Sequence, residues 1–335
     1  MKNQKGTLVV SLDFELFWGI AGVVPIGRYR QNLHGARVAI PRILELFAEY
    51  DIRCTWATVG MLFYDSKRDL IGALPAERPR YRNPELSAYA HLPGIGDSEA
   101  TDPLHYAGSL VDLIATRPGQ ELGSHTFSHY YCNEPGQTEV EFVADLRAAL
   151  TAAKRTGRQI RSIVFPRNQV NPAYLKQCRA HGLTAYRGNL PHYLFQPTLP
   201  SDSAYFRRAL RLLDSYICLS GQNCFAWPSP DALGLYDIPG SRFLRPHSPR
   251  FWFLEPLRVS RITTSLTHAA KNRLNYHLWW HPHDFGNHLE MNLAILRRIL
   301  EHFRRLREEY GMRSLNMGDM VAEAGSGENG APTRS

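Results

Sequence analysis

Short β-branched apolar runs alternate with amphipathic stretches along much of this 335-residue chain. TLVVSLDF, residues 7–14, predicts a buried strand. RVAIPRILELFAEY, residues 37–50, predicts a helix, and residues 52–60 a second strand. From about residue 65 to 112 the periodicity dissolves into Pro, Gly, Arg and Tyr. That length predicts an insertion over one face of the fold, because a simple connection is far shorter. Order returns with QELGSH, a short strand, and an amphipathic helix over residues 139–157 ending at a glycine. RSIVFPRN predicts a strand stopped by Pro166, and NPAYLKQCRAHG a helix with Asn171 as N-cap and Pro172 at its first position. LTAYRG predicts another strand. Residues 189–257 form a second mixed region. RLNYHLWWHPHDFG begins as a strand and ends in a turn, and a long helix follows to about Tyr310. MRSLNMGDMVAEA closes the fold, and residues 325–335 read as a disordered tail.

Alternation of strand and helix argues for parallel βαβ units. The unusual polar residues fall at the C-terminal ends of predicted strands: Asp13 and Glu15, His125, Arg167, His281. In an α/β barrel chemistry gathers at that end. One catalytic domain over residues 1–324 is expected, with the insertions at about 65–112 and 189–257.

A 44% hydrophobic content is enough for a large core, and the net charge of +8 suits anionic partners. The basic residues are scattered, and the densest run, residues 297–310, mixes signs at helical spacing. It reads as a solvated helix face, so no nucleic-acid partner is expected. The five cysteines include no CxxC, which argues against a disulfide framework or a cysteine zinc site. The N-terminal apolar run is broken by Asp13 and Glu15, and no stretch of 18 apolar residues occurs. No transmembrane segment and a cytoplasmic location are expected.

Three constellations carry chemistry. In LDFE, Asp13 and Glu15 share a face if the strand continues, and two carboxylates there need something positive. If the strand has ended, both are solvated. HTFSH holds His125 and His129 four apart; on a helix both imidazoles would face one side, as a metal requires. WWHPHDFGNH puts His281 at a strand end, either functional or in a turn that packs aromatics. Arg167 in FPRN either pairs with a carboxylate or is a surface charge. Arg242 and Arg245 in GSRFLRP are an anion site or a basic loop. Combined, one carboxylate and two imidazoles make a metal site with open positions. A second carboxylate supplies a base, a distant histidine an acid, and an arginine can orient the base.

These residues resemble the motifs of the polysaccharide deacetylases, the NodB-homology domain of carbohydrate esterase family 4. SLDFE matches the paired-acid first motif, HTFSH the H-[ST]-x-x-H second motif, FPRN the arginine–proline third motif, and LWWH the late histidine. The matches are in order across most of the chain. The resemblance implies an α/β fold, a distorted (β/α) barrel of about seven units, and metal-dependent removal of N-acetyl groups from sugars. It implies Asp13 as base, Glu15, His125 and His129 as metal ligands, Arg167 orienting Asp13, and His281 as acid. Asp214, in LLDSY, stands where the family has a fourth-motif aspartate. Two departures matter. Phe14 separates the two acids, which leaves base and ligand interchangeable between Asp13 and Glu15. In FPRN the arginine follows the proline, so Arg167 acts either on Asp13 or on substrate.

The expected cofactor is a divalent metal ion, zinc first, with cobalt, nickel or iron as alternatives. The expected substrate is an N-acetylated sugar, nucleotide sugar or lipid-linked glycan. An allantoinase-like amidohydrolase and an inactive sugar-binding relative are the rival readings. The oligomeric state is left open.

Overall fold

The computed structural model describes residues 4–195 and 203–328. Its strands and helices run β1 (Thr7–Phe14), α1 (Ile26–Glu49), β2 (Cys54–Thr58), α2 (Lys67–Gly72), α3 (Gly108–Thr116), β3 (Gln120–Ser124), α4 (Glu139–Ala153), β4 (Ser162–Val164), α5 (Pro172–Ala180), β5 (Ala185–Arg187) and α6 (Ser203–Asp214). They continue as β6 (Tyr236–Asp237), β7 (Arg242–Phe243), α7 (Glu255–Asn272), β8 (Asn275–Trp280), α8 (Leu289–Tyr310), β9 (Arg313–Leu315) and α9 (Met317–Glu328).

The sheet order is β6-β5-β4-β3-β2-β1-β8-β7, with β9 added beside the first residues of β1. Every strand pairing is parallel. The two ends of this order belong to one segment of chain. Ile238 and Gly240 donate their N–H groups to the carbonyls of Tyr186 and Gly188. A few residues on, Ser241 and Leu244 donate to His277 and Trp279. The segment therefore bridges β5 and β8 and curls the sheet into the distorted (β/α) barrel that the resemblance implies, built from the parallel units that the alternating pattern predicts.

Successive residues of β1 face opposite sides. Leu8, Val10, Leu12 and Phe14 join the outer core under the helices. Val9 points inside, with Ala57, Val164, Ala185 and Ile238, and Met317 and Met320 of α9 close the N-terminal end. Both faces are covered, which is why the strand reads as one apolar run. Ser11 and Asp13 continue the inward row above Val9 and so reach the C-terminal end of the barrel.

Four stretches differ from the sequence reading. Helix α1 begins at Ile26, well before residue 37. Its first turns carry polar residues and Gly35, which has little helix signal. Gly35 is there because a Cβ would lie 2.1 Å from the Gly286 carbonyl oxygen, so only glycine lets α1 approach that turn. The 65–112 insertion is the β2-to-β3 crossover, and it includes α2 and the start of α3. It lies against α1 through Arg37, which donates to the carbonyls of Pro103 and Tyr106. Helices α6 and α7 fall within or just after the second mixed region. Composition marks residues 325–335 as a tail, yet α9 continues to Glu328; the rest of that tail lies outside the described residues.

At the N-terminal end, the carboxylate of Glu121 accepts from the hydroxyls of Thr55 and Ser162, each at 2.6 Å. It also accepts from the Gly318 N–H at 3.0 Å, which anchors the start of α9. Burial pushes the Glu121 carboxyl above its ordinary value, and these three donors oppose it. Replacing Glu121 by Ala leaves the donors without an acceptor. We expect a loss of about 2 kcal/mol in chemical denaturation, with no change in the residues at the opposite end of the barrel.

Candidate metal centre

Two buried carboxylates stand at the C-terminal end of β1. Asp13, 3% exposed, points into the barrel from the strand. Glu15, 6% exposed, lies just past it, where the chain leaves the sheet. The strand has ended, yet neither group is solvated, and each has its own cationic or imidazole partners.

Asp13 faces Arg187, the last residue of β5. The guanidinium makes two parallel bonds, Nη1 to Oδ1 and Nη2 to Oδ2, both 2.7 Å. Arg187 also donates to Ser11 Oγ at 3.0 Å and Asn168 Oδ1 at 2.9 Å, and its guanidinium packs on Trp279, 4.2 Å from the ring centre. His277 Nε2 lies 2.8 Å from Ser11 Oγ. Burial alone would raise the Asp13 carboxyl, but the Arg187 guanidinium, helped by His281, holds it below its ordinary value.

Glu15 Oε2 sits between two imidazoles, 3.2 Å from His125 Nε2 and 3.0 Å from His129 Nε2. His281 Nε2 lies 3.6 Å from Glu15 Oε1 and 4.0 Å from Asp13 Oδ2. Burial opposes ionisation of Glu15, and the facing imidazoles, His281 first, outweigh it, so its carboxyl falls well below its ordinary value. There is room for that carboxylate because residue 19 is glycine: a Cβ there would lie 2.0 Å from Glu15 Oε1.

The HTFSH pair meets without a helix. Residues 125–131 form a loop after β3, with Thr126 at φ 62° and His129 at φ 57°. Such backbone angles are unfavourable for side-chain-bearing residues and persist only where surroundings hold them. Asp145 of α4 does much of this. Its carboxylate accepts from Phe127 N at 2.6 Å, Ser128 N at 3.2 Å and the Ser128 hydroxyl. Thr126 Oγ1 accepts from Tyr130 N at 2.7 Å, and Tyr81 of the crossover receives Tyr131 N at 2.8 Å. Local side-chain bonds of this kind compete with helix formation, which is why the helical spacing misleads.

The donor set suits a metal ion. The ligand atoms of Glu15, His125 and His129 all lie within 4.8 Å of one another. His125 Nδ1 donates to the Val164 carbonyl oxygen at 2.8 Å, which fixes the ring and aims Nε2 at Glu15. Burial lowers the His129 imidazole to about 4, which keeps it neutral and able to coordinate. One carboxylate and two imidazoles form a known catalytic zinc set that leaves a position open.

His281 has its own support. Its Nδ1 lies 3.0 Å from Asp284 Oδ2, and Asp284 Oδ1 accepts from the Tyr29 hydroxyl at 2.7 Å. Burial opposes protonation of this imidazole; Glu15, Asp284 and Asp13 outweigh it and raise its proton affinity above the ordinary value. The side chain remains 26% exposed, so a ligand can reach it.

Two sequence expectations need correction. Arg167 does not touch Asp13: its guanidinium lies 4.0 Å over the Tyr131 ring and 3.4 Å from Glu134. Arg187 holds that place, and the FPRN loop contributes Asn168 to it. Asp214 bonds Arg242 at 3.1 Å and the N–H groups of Leu219 and Ser220, whereas the carboxylate on His281 is Asp284. Arg187, Asp284 and Asp145 are not among the residues that the sequence motifs single out. Arg187 obeys the same rule as the others, a charge ending a predicted strand. Asp284 lies three residues from His281, and Asp145 is a charge on the apolar face of an amphipathic helix.

The polysaccharide deacetylase family model matches residues 34–186. That span holds HTFSH and FPRN, while Asp13, Glu15, Arg187 and His281 lie outside it. No curated protein matches the chain. Among solved structures, one assigned as a polysaccharide deacetylase from Mycobacterium smegmatis aligns with TM-score 0.62 and 12% identity, covering 98% of this chain and 93% of that one. A second, from Pseudomonas aeruginosa PAO1, aligns with TM-score 0.54 and 12% identity, covering 98% and 92%. PuuE allantoinase aligns with TM-score 0.55 and 12% identity, covering 96% and 89%. At such identities the likeness concerns the fold alone.

Removing one partner of the buried Asp13–Arg187 pair leaves an uncompensated charge. Arg187→Ala should cost about 3–5 kcal/mol of stability by denaturant titration. Arg187→Lys keeps the charge without the two-pronged geometry and should cost clearly less. Equal stability of Arg187→Ala and the wild type would refute this account of the pair.

Proposed function

We propose that this member of the polysaccharide deacetylase family is a metal-dependent hydrolase that removes an N-acetyl group from a sugar or glycoconjugate precursor. The observation that carries this reading is the position of Glu15 between His125 and His129, with the Asp13–Arg187 and His281–Asp284 pairs on either side. Glu15, His125 and His129 would hold the ion, zinc first among the candidates. When bound, a divalent ion supplies a water of lowered pKa and polarises the acyl carbonyl.

The protein's own residues would do the rest. Asp13, kept ionised by Arg187, accepts the proton of the attacking water. Arg187 is a positioning residue: it fixes both carboxylate oxygens and leaves Asp13 one orientation. The shared partner of the imidazoles is Glu15, while Asp13 takes the guanidinium, which supports Glu15 as ligand and Asp13 as base. His281 donates its proton at Nε2, since Nδ1 is engaged by Asp284. An amine is a poor leaving group until protonated, so an acid is needed across from the base.

The substrate is read as a precursor in a reducing compartment. All five cysteines are unpaired, three of them buried, which fits a cytoplasmic site of action. Among the described residues no helix is long and apolar enough to cross a membrane.

Two variants test the assignment. Elemental analysis should find about one ion per wild-type chain and none in His129→Ala. Asp13→Asn should keep the ion while acetate release from N-acetylated sugars falls by about 10²–10⁴-fold. A wild-type protein that takes up no zinc, cobalt, nickel or iron would end the metal reading. Turnover by Asp13→Asn at the wild-type rate would end the assignment of the base.

A further inference from the structure

Beside the centre lies a cavity of about 830 Å³ at the same end of the barrel. Phe243 and Trp279 form part of its wall, and both rings also contact His281, with centroids 5.4 and 6.1 Å away. Asn168, which holds Arg187, lines it too. A molecule in this cavity would therefore lie against the residues that surround Asp13 and Glu15. The volume is ample for a sugar and its anionic substituent.

The charge lining the cavity is unbalanced. Five arginines face two carboxylates. Both carboxylates are already engaged: Glu134 with Arg167 at 3.4 Å, and Asp214 with Arg242 at 3.1 Å. Arg211 of α6 and Arg245, just after β7, have no carboxylate within ion-pairing distance among the described residues. Arg211 Nε is buried without a hydrogen-bond partner. Burial and, after it, neighbouring guanidinium groups disfavour the charge on each, with Tyr216 opposing them at Arg245. Like charges gathered in a half-buried wall cost free energy, and an anion bound between them would offset that cost. The pairing also divides the GSRFLRP arginines: Arg242 is neutralised by Asp214, and Arg245 is left for a ligand.

We propose that Arg211 and Arg245 form a subsite for a phosphoryl group, so that the substrate is an N-acetylated sugar carrying a phosphate or diphosphate. Guanidinium groups match phosphate oxygens with two parallel charge-assisted bonds, which is how arginine commonly binds this group. The inference rests on the deacetylase reading for the word substrate, but the subsite itself does not. A nucleoside diphosphate sugar and a lipid diphosphate sugar present the same diphosphate, and the kinetics below separate them.

The direct probe is inorganic pyrophosphate, titrated calorimetrically into four proteins: wild type, His129→Ala, Arg211→Gln/Arg245→Gln, and Arg250→Gln. Wild type and His129→Ala should bind it alike, which separates the arginines from any chelation by a metal. The double variant should bind at least about tenfold more weakly. Arg250 is exposed and outside the cavity, so Arg250→Gln should match wild type. Absence of binding at millimolar pyrophosphate, or equal binding by the double variant with an unchanged melting temperature, overturns the subsite.

The second readout compares acetate release from a free N-acetylated sugar, its nucleoside diphosphate form and its short-chain alkyl diphosphate form. Wild type should favour a diphosphate form by at least about tenfold in kcat/KM, and the double variant should lose most of that preference. The preferred form identifies the carrier. Equal use of free and diphosphate-linked sugar overturns this substrate class while the deacetylase reading stands. Arginine-dependent pyrophosphate binding with no acetate released from any of the three leaves the subsite standing and overturns the deacetylase reading.

Discussion

The pairing of Asp13 with Arg187 is the constraint on which the rest of the centre depends. It joins β1 to β5 across the inside of the barrel, strands that share no backbone hydrogen bonds. A carboxylate so deeply buried stays ionised only when partners in good geometry offset its lost hydration. Two parallel bonds of 2.7 Å provide that, and Ser11, Asn168 and His277 satisfy much of the remaining polar surface. A pair of this kind contributes little to net stability against an apolar alternative. Its effect is to permit one arrangement of the barrel's open end, because any other would strand a charge.

From that fixed point the centre separates two kinds of group. On one side, the imidazoles of His125 and His129 and the carboxylate of Glu15 converge on one point. On the other, His281 is surrounded by Glu15, Asp13 and Asp284, which favour its protonated form. The separation comes from partners supplied by different elements: Val164 for His125, Arg187 for Asp13, and Asp284 with Tyr29 for His281. The strained HTFSH loop is held by Asp145 from outside the barrel, so the placement of His125 and His129 does not rely on their own backbone preference.

Much of this was legible in the sequence, and the reasons for the remainder are physical. Strands such as TLVVSLDF are buried on both faces, and their composition shows it. Charges at strand ends stand out because nothing else explains them in apolar runs. Arg187 has the same signature but follows AY in a three-residue strand, too short to attract notice. The start of helix α1 is faint in the sequence because Gly35 serves a close approach to Gly286, and helix propensity does not report contacts between distant segments. The HTFSH spacing suggested a helix because four residues make one turn. Ser, Thr and Asp side chains give the backbone other partners there, and tertiary contacts decide the outcome.

The altered first motif follows from where β1 stops. Adjacent residues of a strand face opposite sides, so in a continuing strand only residues two apart could both enter the barrel. Here the strand ends at Phe14, whose ring belongs to the outer core, and the chain turns at Glu15. Asp13 is still in the strand, and a short side chain suffices to meet Arg187. Glu15 has left the sheet and must reach back towards two histidines that follow a different strand. The extra methylene of glutamate gives that reach, and Gly19 leaves the space its carboxylate fills. Glutamate at residue 15 and glycine at residue 19 are therefore one feature. A shorter acid would fall away from His125 and His129, and a side chain at residue 19 would displace the carboxylate from between them.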